Sequence, residues 1–270
     1  MKSLKLNSDT AIPAIGLGLW LITDREACIS SVNAALEAGY RHFDTAQAYE
    51  NETYTGWALA NSNVPRKERF ITTKISNDNQ GWDELIPSFE ASLKKLQTNY
   101  VDLLLLHFPV TETRRPAWRQ MEELHQDGRA KAIGVSNYTI THLKELLAEC
   151  SVPPAVNQVE LHVFLQQPEL VKFCQDNNIV VEAYSPLAHG EGMDNPVLVE
   201  LAKKHHKTAA QIMIRWCIEV GTVPLPKSET PERIKQNIEV FDFELDKDDM
   251  AKLATLNSNL RTAWDPTHVA

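Results

Sequence analysis

The sequence predicts an α/β fold, a (β/α)₈ TIM barrel with an N-terminal β-hairpin and extra helices. Eight short apolar runs recur about every 25 to 30 residues, and segments with helical periodicity separate them. The length of 270 residues fits one such barrel. A doubly wound sheet also alternates strands with helices, but the count of eight and the absence of a Pro-, Gly- or Ser-rich linker favour the barrel. We therefore expect residues 1–270 to form a single domain.

The predicted strands are the apolar runs themselves. They span residues 16–20, 40–45, 69–74, 101–107, 130–136, 154–160, 178–185 and 221–226. The gap before the last strand leaves room for one extra helix. Residues 1–15 precede the first barrel strand, and their short β-like pieces around Pro13 predict a hairpin that closes the barrel floor.

The helical segments between the strands carry start and stop signals. Thr23 and Glu26 form a T-x-x-E capping pattern for the first helix, and Gly39 is placed to end it in a left-handed conformation. Thr208 and Gly221 bound a later helix in the same way. Strand and helix are therefore expected to alternate along the whole chain.

Charge and cysteine content exclude several classes of function. The chain has 27 Lys+Arg against 36 Asp+Glu, a net charge of −9, so no nucleic-acid partner or anionic membrane surface is expected. Its four cysteines form no CxxC pair, and no H-E-x-x-H motif or other histidine pair argues for a catalytic zinc, so neither a disulfide framework nor a metal site is indicated. Neither a signal peptide nor a membrane span is predicted, and the expected location is the cytoplasm.

Four polar side chains stand at or just after the ends of three successive predicted strands. Asp44 ends the second strand, with Tyr49 five residues on, while Lys74 and His107 end the third and fourth. Because barrel enzymes build their sites at the carboxyl ends of strands, these groups are expected to converge at one mouth. The pKa of tyrosine is ordinarily about 10, and a neighbouring ammonium is expected to lower it. Asp44 would hold Lys74, and His107 would hydrogen-bond a substrate oxygen, an arrangement suited to carbonyl reduction.

Each of these residues also has a simpler interpretation when taken alone. Asp44 could cap a turn, Lys74 could be a solvated strand end, Tyr49 an exposed loop aromatic and His107 a core histidine with its hydrogen bonds satisfied. Four complementary groups on successive strand ends favour the catalytic interpretation.

A phosphate-binding pattern follows the last predicted strand. The G-x-G-x-x-G fingerprint of a Rossmann site is absent, but Thr230 and Pro231 mark a helix amino terminus, which favours an anion. Lys227, Ser228 and Arg233 surround that start, and an adenosine 2′-phosphate fits two cations and a hydroxyl. An ordinary solvated helix cap is the alternative.

Seven segments in chain order carry a family resemblance: FDTAQAYENE, ITTKI, LLLLHFP, IGVSNY, NQVE, AYSPL and PLPKSETPERIKQN. Together they resemble the aldo-keto reductases, in particular the compact bacterial 2,5-diketo-gluconate and methylglyoxal reductases. The resemblance implies a monomeric barrel that binds NADPH across its carboxyl face. It also implies reduction of small-molecule aldehydes and ketones, among them methylglyoxal, keto-sugars such as 2,5-diketo-gluconate, and aldoses.

The resemblance assigns a role to individual residues. Tyr49 matches the proton donor, with Asp44, Lys74 and His107 as its catalytic partners. The residues matching the cofactor contacts are Gly18, Leu19, Ser136, Asn137, Gln158, Tyr184, Ser185, Leu187, Lys227, Ser228, Arg233, Gln236 and Asn237. Those matching the substrate pocket are Trp20, His107 and Phe108.

Within the cofactor set, the resemblance divides the tasks. Ser136, Asn137 and Gln158 would hold the nicotinamide carboxamide, and Tyr184 would stack on its ring. The clamp described above would bind the 2′-phosphate, and the residues after it would hold the adenine. Two alternatives stay open: a non-catalytic barrel that senses NADPH, and a phosphate-handling barrel isomerase.

Overall fold

Eight parallel strands form the centre of the molecule in a computed structural model that describes residues 2–8 and 10–270. Each strand pairs in parallel with the next along the chain. In order they are β3 Leu17–Gly18, β4 His42–Asp44, β5 Phe70–Ile75, β6 Val101–Leu106, β7 Ala130–Ser136, β8 Val156–Glu160, β9 Val180–Tyr184 and β10 Val223–Leu225. All eight fall inside or within one residue of the predicted runs, so the predicted barrel is confirmed.

Backbone hydrogen bonds between the first and last barrel strands close the ring. The Gly16 amide donates to the Pro224 carbonyl at 3.0 Å, and the Gly18 amide donates to the Pro226 carbonyl at 3.1 Å. A Cβ atom on Gly18 would lie only 2.9 Å from the carbonyl oxygen of Leu225. Glycine is therefore needed where the two strands meet.

Ten helices surround the barrel in the described part of the chain. They are α1 Arg25–Ala38, α2 Glu52–Ala60, α3 Leu85–Lys95, α4 Arg114–Gln126, α5 Ile140–Glu149, α6 Pro168–Asp176, α7 Pro196–His205, α8 Ala209–Glu219, α9 Pro231–Ile238 and α10 Lys247–Ala254. Two of them, α7 and α8, lie between β9 and β10, which confirms the predicted extra helix. None is long and apolar enough to cross a membrane.

The caps of two helices test the predicted start signals. Thr208 caps α8, and its side chain accepts a hydrogen bond from the Gln211 amide. The prediction for α1 is wrong by one residue: Asp24, not Thr23, is the cap, and its carboxylate accepts from the Ala27 amide at 2.9 Å. Aspartate caps a helix at least as well as threonine, so the start shifts along the chain.

A hairpin closes the amino-terminal end of the barrel, as predicted. Its strands are β1 Ser3–Lys5 and β2 Ala11–Pro13, paired antiparallel. Ile12 is fully buried, and it packs with Phe70 and Val223, which begin their strands. Since this end is plugged by apolar side chains, the opposite, carboxyl end is the open one.

Candidate active site

The four predicted catalytic residues meet at the carboxyl end of the barrel. Asp44 is the last residue of β4, Lys74 is the last but one of β5, and His107 directly follows β6. Tyr49 ends a short 3₁₀ turn after β4. Three adjacent strands and one turn therefore bring these side chains together.

Lys74 is fully buried, which rules out the solvated strand end. Its ammonium donates to Asp44 Oδ1 at 2.6 Å, to the Thr45 carbonyl at 3.0 Å and to the Tyr49 hydroxyl at 3.1 Å. Burial alone would lower the pKa of Lys74, but Asp44 and Tyr49 outweigh it and raise the pKa. Lys74 therefore stays charged, with all three of its hydrogen-bond donors used.

The hydroxyl of Tyr49 is oriented by this ammonium. Because an ammonium has only donors, the Tyr49 oxygen must accept from Lys74, and its own O–H is left for the cavity. The expectation that Lys74 leaves Tyr49 with a lowered pKa is wrong. Burial raises the pKa of Tyr49, and Lys74 offsets this only in part, with Asp44 opposing Lys74. Tyr49 is therefore protonated at neutral pH, the state that a proton donor requires.

The imidazole of His107 lies against both Tyr49 and an unpredicted tryptophan. Its ring centroid is 5.6 Å from that of Tyr49 and 5.6 Å from that of Trp264. Burial, reinforced by the charge of Lys74, lowers the pKa of His107 to about 3. No group in the described part of the chain hydrogen-bonds to its ring nitrogens. A neutral imidazole is thus available to a substrate oxygen.

Two residues that sequence reasoning missed fix the turn that carries Tyr49. The amide of Asn51 donates to the carbonyls of Leu19 and Ile22 at 2.8 and 3.0 Å and accepts from the Thr45 hydroxyl at 2.6 Å. The buried carboxylate of Glu52 accepts from the Thr73 hydroxyl at 2.7 Å. Both lie in the segment FDTAQAYENE, where polar residues shortly after Tyr49 were a usable signal.

A single long cavity of about 690 Å³ crosses the mouth of the barrel. Its lining includes Tyr49 and His107, near β4 and β6, and residues at the start of α9, which follows β10. The predicted site residues that line it are Gly18, Trp20, Asp44, Tyr49, His107, Ser136, Asn137, Gln158, Tyr184, Ser185, Leu187, Lys227, Ser228, Arg233, Gln236 and Asn237. The cavity thus connects the proposed catalytic residues with the amino terminus of α9.

The middle of the cavity presents a hydrogen-bonded group of neutral side chains. Asn137 Nδ2 donates to the His107 carbonyl and to Ser136 Oγ, both at 3.1 Å, while its Oδ1 accepts from the Tyr184 hydroxyl at 2.8 Å. Asn137 adopts a left-handed backbone with φ of 64°, a conformation that asparagine tolerates. These bonds fix the aromatic plane of Tyr184 beside the groups predicted to hold a carboxamide.

The far end of the cavity is cationic. Lys227, Ser228 and Arg233 line it around the first turn of α9, whose capping residue Thr230 makes no side-chain cap. The first turn therefore leaves amide groups open to an anion. Lys227 is paired with Glu229 at 2.6 Å, whereas Arg233 forms no ion pair within the described residues. This donor set suits a phosphate group of NADPH.

Three predicted site residues do not line the cavity. Leu19 is fully buried in the apolar core, and only its backbone takes part, since its amide donates to the Asp44 carbonyl. Phe108 is half-buried, and its ring centroid lies 6.4 Å from that of Trp264, which does line the cavity. Lys74 acts from behind Tyr49 rather than from the cavity wall.

The chain after α10 supplies a pocket wall that the sequence did not predict. Trp264 packs against His107, Phe108 and Trp20, and Trp20 in turn meets His189 at 5.5 Å. A buried carboxylate, Glu160, anchors this segment by accepting from the amide and the hydroxyl of Thr262, both at 2.6 Å. A lone tryptophan in a polar tail was the only signal in the sequence.

The fold and the site define a class of protein, a barrel oxidoreductase with a nicotinamide cofactor, and comparisons with known proteins specify it. The chain matches the sequence profile of the Aldo/keto reductase family over residues 14–258. It is 45% identical over 269 residues to a methylglyoxal reductase of Escherichia coli O157:H7, covering 97% of this chain and 96% of that protein.

Two solved structures are similar over nearly the whole fold. An aldo-keto reductase from a Medee basin deep-sea metagenome library superimposes with a TM-score of 0.96 at 43% identity, covering 100% of both chains. An aldo-keto reductase crystallised with NADPH has a TM-score of 0.94 at 35% identity, covering 97% of this chain and 90% of that one. The chain belongs to the aldo/keto reductase family, and it is an NADP-dependent enzyme that reduces carbonyl groups. This assignment excludes the barrel isomerase and the non-catalytic sensor.

The protonation states at the site predict a flat pH profile. His107, with its pKa lowered to about 3, and Tyr49, with its pKa raised, keep one state each from about pH 5.5 to about 7.5. We expect kcat/KM for NADPH-linked methylglyoxal reduction to vary by less than about twofold across that range. Initial rates at constant ionic strength measure it. An inflection near pH 6.5 that disappears in His107→Gln would contradict a neutral His107.

Proposed function

We propose that the enzyme reduces small uncharged aldehydes and dicarbonyls, with Tyr49 as proton donor and His107 as the group that orients the substrate oxygen. The observation that carries these roles is the orientation of Tyr49, whose oxygen accepts from Lys74 and whose O–H remains for the cavity. Bound NADPH supplies the hydride. Tyr49 protonates the carbonyl oxygen as negative charge develops on it, and the charge of Lys74, held by Asp44, stabilises the tyrosinate that remains.

The cofactor contacts are proposed from the way the cavity is lined. Lys227, Ser228 and Arg233 would bind the 2′-phosphate, with Gln236 and Asn237 beside them for the adenine. The remaining proposed contacts, from the nicotinamide to the pyrophosphate, are Ser136, Asn137, Gln158, Tyr184, Ser185, Leu187 and Gly18. The order of these groups along the cavity supports an extended cofactor with its nicotinamide end beside Tyr49.

The substrate end of the cavity supports an uncharged substrate. Trp264 packs against His107 there, and Trp20 and His189 continue this wall, whereas the cations that line the cavity, Lys227 and Arg233, stand at the start of α9. A carboxylate bound beside Tyr49 would lose water without gaining an ion pair, which is costly. The methylglyoxal reductase relative, whose name refers to a small neutral dicarbonyl, is consistent with this proposal.

Tyr49→Phe tests the proton donor. We expect kcat to fall by about 10² to 10⁴-fold, since a positioned acid of this kind contributes that much. The Kd for NADPH should stay within about twofold of the parent value, because the change removes one hydroxyl and no cofactor contact. Tyr54→Phe, on α2 and outside the cavity lining, is the matched control and should keep full activity. Substantial turnover by Tyr49→Phe would remove Tyr49 from this role.

Arg233→Ala tests the phosphate clamp. The guanidinium is expected to form charge-assisted hydrogen bonds to the 2′-phosphate, so its loss should weaken NADPH binding by about 10- to 100-fold. Binding of NADH, which lacks that phosphate, should change little. Lys235→Ala removes an exposed cation from the same helix away from the cavity and serves as control. Equal losses for the two cofactors would refute the clamp.

A pair of substrates that differ in one charge tests the proposed substrate class. We expect kcat/KM for methyl 4-formylbenzoate to exceed that for 4-formylbenzoate by at least about tenfold, because the acid buries an unpaired carboxylate. The two share one aromatic aldehyde, so the comparison isolates the charge. Equal efficiency, or preference for the acid, would show that the pocket accepts anions.

A further inference from the structure

Glu182 is a fully buried acid that the catalytic mechanism does not use. It lies on β9, where the parallel register places it directly opposite Gln158 of β8. Its Oε2 accepts a hydrogen bond from Gln158 Nε2 at 3.0 Å, and its Oε1 lies 3.3 Å from His42 Nε2. The acid therefore stands directly beneath a residue of the proposed nicotinamide site.

The amide of Gln158 is held from two sides. Its nitrogen donates to Glu182 and also to Asp44 Oδ2, the latter at 2.8 Å. An amide nitrogen has two donors, so both are used. The amide oxygen has no partner in the described part of the chain, is not sealed off in the interior, and belongs to a residue that lines the cavity. Because the two carboxyl groups take both N–H donors of Gln158, its amide oxygen is left to accept a hydrogen bond from a ligand in the cavity.

The charges of this buried group indicate which form Glu182 takes. Among the described residues, Lys74 is the one cation beside the two carboxyl groups of Asp44 and Glu182. His42 is neutral because burial, with the charge of Lys74, lowers its pKa to about 3. Burial, reinforced by the charge of Asp44, raises the pKa of Glu182 to about 8. At neutral pH Glu182 is therefore mainly the neutral acid. Its carbonyl oxygen accepts from Gln158, while its O–H faces His42.

We propose that Glu182 is a positioning residue that fixes the Gln158 amide, so that the amide oxygen accepts a hydrogen bond from the carboxamide NH₂ of the nicotinamide. Asp44 alone holds one N–H and leaves the amide free to turn; the second bond removes that freedom. The inference rests on the cofactor role proposed above for Gln158. Glu182 touches neither cofactor nor substrate.

The test measures affinity rather than turnover, with two ligands. NADP⁺ carries the nicotinamide, and adenosine 2′,5′-bisphosphate carries only the adenosine end of the cofactor. In Glu182→Met, which keeps length and removes hydrogen bonding, the Kd for NADP⁺ should rise about tenfold and that of the fragment should not change. Isothermal titration calorimetry gives both values. Glu182→Ala replaces Glu182→Met if the latter does not fold.

A conservative variant and a second position sharpen the result. Glu182→Gln offers the donor and acceptor of a neutral acid, so it should restore most of the NADP⁺ affinity that Glu182→Met loses. In a Gln158→Leu background, Glu182→Met should have no further effect on NADP⁺. Equal weakening of both ligands by Glu182→Met would indicate general structural damage and overturn the proposal.

The failure of this inference can be told from the failure of the proposed cofactor site. If Gln158→Leu weakens NADP⁺ but Glu182→Met does not, Gln158 binds the cofactor and Glu182 does not position it. If Gln158→Leu itself binds NADP⁺ like the parent enzyme, the cofactor role of Gln158 is wrong, and the inference about Glu182 falls with it.

Discussion

The ammonium of Lys74 is charged in a barrel interior from which water is excluded, and the arrangement of the site follows from that constraint. Removing an ion from water costs several kcal/mol unless every donor finds a partner. Asp44, the Thr45 carbonyl and the Tyr49 hydroxyl supply those three partners. Losing Asp44 as the partner of this buried ion pair would cost about 3–5 kcal/mol. The ammonium that Asp44 holds in place in turn orients the hydroxyl of Tyr49.

The need of buried polar groups for hydrogen-bond partners extends from Asp44 further into the barrel. Its second oxygen needs a donor, Gln158 provides one, and the remaining N–H of Gln158 needs an acceptor in turn, which is Glu182. Lys74, Asp44, Gln158 and Glu182 are therefore joined by consecutive hydrogen bonds, and the orientation of the Gln158 amide is linked to the ion pair between Asp44 and Lys74. The proposed proton donor and the proposed nicotinamide site therefore lie at the two ends of one hydrogen-bonded chain.

The sequence was sufficient to predict the fold and the site wherever a residue's place along a strand determines its place in the barrel. Eight repeating units indicate the barrel, and strand ends place Asp44, Lys74 and His107 at one mouth. The sequence was insufficient where contacts join distant segments. Glu182 lies inside the apolar run of β9, so nothing in the sequence distinguishes it from an ordinary strand residue. The position of Trp264 depends on the anchoring of Thr262 by Glu160, which is 102 residues earlier in the chain. The pKa of Tyr49 was misjudged because depth of burial, which dominates it, has no local signature. Leu19 and Phe108 matched the family pattern, but neither lines the cavity, and the Leu19 side chain is buried in the apolar core.

Because the net charge of the chain is −9, the positions of its cations decide where an anionic ligand can bind. An acidic protein that binds a polyanion must attract it locally, within the roughly 8–10 Å over which charges act in physiological salt. Lys74 contributes little to that attraction because Asp44 neutralises it at 2.6 Å, and Lys227 is partly neutralised by Glu229. Arg233 is left as the main unpaired charge among the described residues of the cavity lining, on the first turn of α9. In the proposed binding mode, charge would recognise the phosphate end of the cofactor and neutral hydrogen bonds its nicotinamide end. The one ammonium beside Tyr49 among the described residues, Lys74, is already paired with Asp44, so the proposed substrate end suits an uncharged carbonyl.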